Sequence, residues 1–318
     1  MPHQIHQDEH SFAANHWDGY IAVTGNDDAG ELPMPIIIRP ARQGDAPECG
    51  RITFEAFQAL ADQHGFPRDF PSVEAATGVV SMLMATPGFD DFVAEDDHRI
   101  VGANFVDLRS RIAGVGPIAV DPKAQNRGIG RMLMQAVMDD AAKRSVEGIR
   151  LVQAAYHNRS LCLYTRMGFQ ARELLSVMQG PALNLQFPEY HVRRAVNADF
   201  APCNAVCQNI HGFDRALELK TAIDQSTATV VEHLGRITGY ATMIGFFAHA
   251  VAESNRDLQA LIGAAQAFPG PGFLVPTRNH EVFKWCLDNG LRLVMQMTLM
   301  STGLYTEPTG AYLPSILY

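Results

Sequence analysis

From Ile36 onward, short apolar runs and alternations give way to a helical period and then return, and the same switch recurs along the chain. Ile36, Ile37, Ile38 and Arg39 predict a strand stopped by Pro40, which has no N–H to give to a ladder. A helix comes next, with Asp45 as N-cap, Glu48 as its capping-box partner and Ile52, Phe54, Ala56 and Leu60 as apolar cover. Three strands succeed it, Phe92 to Glu95, Ile100 to Leu108 and Gly114 to Val120, the first two joined by a polar turn at Asp96, Asp97 and His98. Beyond Val120 the period lengthens to that of a helix carrying Ile129, Leu133, Ala136 and Val137 on one side. A strand over 149–155, a helix over 158–167 closed by Gly168, and a strand over 173–178 complete this part of the chain.

Pro181 to Glu189 holds two prolines and little periodicity, and marks a boundary. The remainder of the chain repeats the part before it: Arg39, Ala41 and Asp45 return in order and spacing as Arg193, Ala195 and Asp199, and His157 to Phe169 is matched by Asn279 to Leu291. Two degenerate copies of one fold explain the match. Residues 1–34 have no sustained apolar period and predict a flexible extension. Its His3, His6, His10 and His16 do not read as a metal site, because an unstructured segment cannot preorganise ligands. The division expected is therefore 1–34, 35–182 and 190–318.

Composition narrows the class. A chain of 318 residues is long enough for two cores. With 47% hydrophobic and 19% charged residues it reads as globular. A net charge of -9 without a Lys/Arg cluster disfavours nucleic acid and favours cationic substrates. Five scattered cysteines suit a reducing cytoplasm rather than a disulfide framework. Met1 to Ser11 lacks the pattern of a secretory signal, and Ala241 to Ala252, broken by His249, is too short to span a bilayer, so no membrane segment is expected.

The stretch with the most chemistry runs from Gly116 to Arg131: a strand, a short loop, then a helix whose start holds Gly128 and Gly130. Exposed N–H groups at a helix start, with the dipole behind them, suit a diphosphate. Glycine lets phosphate approach the backbone, and Arg127 and Arg131 add charge at the rim. No Gly-Lys-Ser/Thr comes after it, which excludes a P-loop, and the third glycine of a dinucleotide fingerprint is missing.

The pattern Gln125-x-x-Gly128-x-Gly130 after a Val-Asp-Pro strand end resembles the acetyl-CoA signature of the GNAT superfamily of N-acetyltransferases. A second family feature stands at the family's spacing, Asn158-Arg-Ser-Leu-Cys-Leu-Tyr164-Thr-Arg-Met-Gly168-Phe169. The resemblance implies an α/β fold with a mixed sheet, built as two tandem GNAT-like acyl-CoA N-acyltransferase domains. It implies a strand that splays from its neighbour, with the pantetheine arm inserted between them against Ile118, Ala119 and Val120. Gln125 and the N–H groups of Asn126, Arg127, Gly128, Ile129, Gly130 and Arg131 would hold the diphosphate. His157 stands where the family often has Asn, and it or Asn158, together with Ser160, would reach the cofactor. Tyr164 would be the general acid that protonates the departing thiolate. Asp107 and His157 are the candidates for a base, beside bound water.

The second copy lacks these glycines and reads Glu253-Ser-Asn-Arg-Asp-Leu, with Ser254 and Asp257 as a capping box, and it has Cys286 where the first has Tyr164. It is expected not to bind acetyl-CoA. Cys203, Cys207 and His211 recur every four residues along one helix face, and such a line cannot converge on a tetrahedral metal. Thr309 to Tyr318 reads as an ordered tail. The function expected is acetyl transfer from acetyl-CoA to a primary amine, small molecule or protein lysine, by direct attack, with neither acyl-enzyme nor metal. The competing expectation is a catalytically inactive acetyl-CoA-binding sensor or scaffold. The protein is expected to be cytoplasmic, as a monomer or homodimer.

Overall fold

The computed structural model describes residues 35–317. The extension expected over 1–34, with its histidines, lies outside the described residues. The first part of the chain runs β1 (Ile37–Pro40), α1 (Ala46–His64), α2 (Val73–Ala85), β2 (Phe89–Asp96), β3 (Arg99–Asp107), β4 (Ile112–Val120), α3 (Ile129–Lys143), β5 (Gly148–Ala154), α4 (Asn158–Arg166) and β6 (Gln170–Gln179). The second runs β7 (His191–Arg194), α5 (Phe200–His211), α6 (Ala216–Asp224), β8 (Thr229–His233), β9 (Arg236–Ala241), β10 (Ala250–Ala252), α7 (Asn255–Ala264), β11 (Phe273–Pro276), α8 (His280–Asp288), β12 (Arg292–Gly303) and β13 (Ala311–Leu313). The result is a mixed α/β fold in which the two halves carry the same order of elements.

The structure departs from expectation at two places in the first half. Helix α2 is absent from the elements expected from sequence. Ser72 caps it, its hydroxyl accepting from the Ala75 N–H at 3.3 Å, and Ala76, Val80 and Leu83 form its buried face. Asp45 precedes α1 but makes no side-chain cap to it. Its carboxylate accepts instead from the Arg42 N–H at 2.8 Å and pairs with Arg39, which also reaches Glu95. The second half repeats this: Asp199 accepts from the Val196 N–H at 2.8 Å and pairs with Arg193, which also reaches Glu232. The Arg-x-Ala-x-x-x-Asp repeat is thus one local device used twice, a guanidinium tying a strand end to the turn before a helix and to the neighbouring strand.

The halves share a sheet. Its eight strands are ordered β1-β2-β3-β4-β5-β12-β6-β11, so β12 from the second half lies between β5 and β6 of the first. Reciprocally, β6 lies between β11 and β12, with Val177 opposite Leu274 and Leu175 opposite Met297. Each half therefore completes its sheet with a strand of the other. Arg150, fully buried on β5, is flanked by the rings of Phe213 and Tyr305 from the second half, 5.1 and 4.9 Å from its guanidinium carbon. A second sheet, β13-β10-β9-β8-β7, belongs to the second half alone. Among the described residues no helix is long and apolar enough to cross a membrane.

Candidate active site

Strands β4 and β5 begin as a parallel pair, Ile112 to Val115 facing Gly148 to Leu151, and then part, although β4 continues to Val120 and β5 to Ala154. The cause is local. Against β3 the register steps from Asn104 opposite Ile118 to Val106 opposite Val115, which leaves one extra residue on β4 at Gly116 and Pro117. Such a bulge bends its strand, and Pro117 has no N–H to offer a partner. The wedge opens into a cavity of about 740 Å³.

The loop after β4 is built to present backbone. Asp121 accepts from the Lys123 N–H at 2.9 Å and from Arg51 at 3.2 Å, which pins the start of the loop. Asn126 (φ 69°) and Gly128 (φ 78°) then turn the chain through left-handed conformations into α3. The N–H groups of Ile129, Gly130 and Arg131 precede the first intrahelical donor, the Met132 N–H bonded to the Gly128 carbonyl at 3.1 Å, and Gly128 has no side chain with which to cap them. At Gly130 the protein itself does not demand glycine, since φ is ordinary and an added Cβ would come no nearer than 3.6 Å to Leu163. The space it leaves belongs to the cavity.

The second motif forms the facing wall. Arg159, at the start of α4, donates to Gln125 Oε1 at 3.1 Å and to Asn126 Oδ1 at 2.8 Å. Ser160 Oγ lies 2.7 Å from Gln153 Oε1, and the Gln153 Nε2 is buried without a partner in the cavity wall. Tyr164 is 5% exposed, its hydroxyl has no protein partner among the described residues, and burial holds it above the ordinary tyrosine value. His157 is held below its ordinary value by burial, then by the charge of Arg159 and by His64, so its imidazole is neutral at pH 7.

Ile118, Ala119, Val120, Gln125, Asn126, Gly128, Ile129, Gly130, Arg131, His157, Asn158, Ser160 and Tyr164 all line this one cavity. The side chain of Arg127 does not, for it turns away to pair with Asp96. Asp107, a candidate base from sequence, is also elsewhere, bonded to Arg109 Nε at 2.8 Å. Four lining groups escape the sequence reading. Arg159 and Gln153 lie within or beside recognised motifs and have only their neighbours as a signal. Asp69, between α1 and α2, and the apolar patch of Phe246, Phe247, Ile316 and Leu317 give no local signal, because distant segments are brought together by the fold.

The second half closes the equivalent places with its own chain. In the gap between β10 and β11, the counterparts of β4 and β5, the C-terminal strand β13 pairs with β10, Tyr312 opposite Val251. At the start of α7 the Ser254 hydroxyl accepts from the Asp257 N–H at 3.2 Å, and a carboxylate occupies the first turn. Cys286 is fully buried, and burial lifts its thiol to about 12, which suits packing rather than chemistry. Cys203, Cys207 and His211 are all buried on α5, and among the described residues no group of three His, Cys, Asp or Glu is placed to hold a metal.

Residues 89–171 match the family of the acetyltransferase (GNAT) domain. Mycothiol acetyltransferase of Nocardia farcinica is 27% identical over 146 residues, 43% of this chain and 46% of that protein, so the chain spans about half the length of this curated relative. Among solved structures, a protein of Pyrococcus horikoshii superposes with a TM-score of 0.67 at 16% identity, covering 89% of this chain and 94% of that one. A tandem GNAT protein from the clavulanic acid biosynthesis pathway gives 0.51 at 15% identity, covering 85% and 98%. These superpositions show the fold.

Proposed function

We propose that this chain, whose residues 89–171 belong to the GNAT acetyltransferase family and whose described body has the tandem GNAT fold, transfers the acetyl group of acetyl-CoA to a primary amine by direct attack in a ternary complex. The observation that carries the proposal is Gly130. Neither backbone conformation nor packing needs glycine there, yet it stands beside three uncapped helix N–H groups at the mouth of a strand wedge. A diphosphate on those N–H groups accounts for it.

The residues present fit acetyl-CoA along its length. Ile129, Gly130 and Arg131 offer the diphosphate their N–H groups, and the guanidiniums of Arg131 and Arg159 neutralise it. Ile118, Ala119 and Val120 lie on the stretch of β4 that has left β5. Ala119 pairs with Ala103 of β3 and the Val120 carbonyl accepts from Gln125 Nε2 at 3.3 Å, which leaves the backbone of Ile118 and the N–H of Val120 for the amide groups of the pantetheine arm. The unpartnered Gln153 Nε2 offers that arm a further donor. The bound co-substrate supplies the activated acyl group, and no metal is needed.

Protein groups then handle the protons. The incoming nitrogen must shed a proton to attack, and the neutral His157 imidazole in the cavity wall can take it directly or through water. Tyr164 gives a proton to the departing sulfur, which is basic enough to accept one from a phenol. An N–H on the parted stretch of β4 stabilises charge on the carbonyl oxygen. The test is thiol release from acetyl-CoA on addition of primary amines, with the acetylated amine identified by mass. Release proportional to protein supports transfer. Binding of acetyl-CoA without release for any amine leaves the protein a binder and not an enzyme.

A further inference from the structure

The cavity is divided by charge. Its guanidiniums, Arg131, Arg159 and Arg166, come from α3 and α4. Among the described residues lining it there is one carboxylate, Asp69, on the loop between α1 and α2. That loop is fastened to the end of β5 by Phe66, whose ring stacks on Tyr156 with centroids 4.1 Å apart and planes 7° apart.

Asp69 has no side-chain partner among the described residues. Its neighbour Arg68 is turned the other way, to Asp62 at 3.0 Å. Asp45 and Asp121, by contrast, are matched by Arg39 and Arg51, while Asp91, another carboxylate that burial leaves unpartnered, does not line the cavity. Burial lifts the Asp69 carboxyl to about 6, so at neutral pH it is charged, poorly solvated and uncompensated. Such a group is costly for the fold and suits a cation that arrives with a ligand. Around it the cavity is apolar and aromatic: Phe57 and Phe70 meet edge to face at 5.8 Å, and Phe246, Phe247 and Ile316 enter from the second half. Polycations would find no second carboxylate here.

Building on the acetyltransferase reading, we propose that Asp69 anchors the ammonium group of the acceptor, and that the acceptor class is a monoamine on an apolar, ring-bearing body. The step is binding alone. Asp69 acts as a positioning residue for the cation, and the rings receive the body and face the ammonium with their π-systems. The polyamines and aminoglycosides that net charge alone would favour fit this cavity poorly.

The experiment uses the full chain saturated with CoA and titrates two probes of the same shape by calorimetry, 2-phenylethylamine and the neutral 2-phenylethanol. The wild type is expected to prefer the amine by about ten-fold or more, as a charge-assisted hydrogen bond gives. Asp69→Asn is expected to bring the two within about two-fold while leaving CoA affinity unchanged, and Asp69→Glu to retain most of the preference. A wild type that binds neither probe, or both alike, overturns the proposal, as does an Asn variant that keeps the preference. Failure of the preliminary CoA titration would instead sink the acetyltransferase reading itself, so the two failures are distinguishable.

Discussion

Arg159 donates to Asn126 Oδ1 at 2.8 Å, and this bond joins the two sequence motifs into one wall. Asn126 sits in a left-handed turn before α3, and Arg159 opens α4. The guanidinium thereby holds the loop in shape and brings positive charge to the place proposed for the diphosphate. Replacing Arg159 with Ala is expected to weaken acetyl-CoA binding by about ten-fold, measured by calorimetry, through loss of charge-assisted contacts. Unchanged affinity would place the diphosphate elsewhere.

Tyr164 is buried in the cavity wall, and its hydroxyl has no protein partner among the described residues. Phe keeps the ring and its contact with Phe169, at a centroid distance of 6.2 Å, and removes only the hydroxyl with its proton. The expected result of Tyr164→Phe is a kcat lowered by about 10²-fold with the melting temperature preserved. A variant with full turnover would show that the departing thiolate takes its proton from water.

The Asp69 carboxyl has a folded value raised to about 6 from 3.8. A raised acid binds its proton more tightly folded than unfolded, so it lowers stability as pH rises from about 4 to 6 and keeps that cost above. The full shift corresponds to about 3 kcal/mol, and partial exposure of the side chain reduces this to about 1–2 kcal/mol. Asp69→Asn is therefore expected to raise the melting temperature at about pH 8 and to give no gain at about pH 3.5. A variant less stable at both pH values would make Asp69 a structural residue.

Much of the first half is legible in the sequence, because its strands are short apolar runs bounded by turn residues and its helices α3 and α4 carry their own starts and stops. The repeat is legible for the same reason: Arg39 with Asp45 and Arg193 with Asp199 are local pairs at fixed spacing. Helix α2 escapes the sequence reading although Ser72 and the spacing of Ala76, Val80 and Leu83 announce it. Asp45 matches a capping box in residue type and spacing, while the competing partner Arg39 decides where its carboxylate goes. Nothing local announces that Met297 will lie opposite Ala154, or that Ile316 will wall the cavity, since both depend on pairing across the whole chain.

That pairing makes the halves interdependent. A fragment ending at residue 182 leaves β5 and β6 without β12 between them, and two bare strand edges in one small domain favour association. Size-exclusion chromatography with far-ultraviolet circular dichroism is expected to show aggregates or partly folded oligomers. A folded monomer would mean that β6 can move over to β5 when β12 is absent.

Whether the cavity beside Gly130 holds acetyl-CoA is decided by calorimetric titration of acetyl-CoA into the wild type and Gly130→Glu. Ordinary φ and contacts no nearer than 3.6 Å let the variant fold, while its carboxylate projects where the diphosphate should lie. Saturable binding by the wild type and a loss of at least about 10²-fold in the variant at equal thermal stability are expected. Equal affinity for both proteins, or none for the wild type, would contradict binding at this cavity.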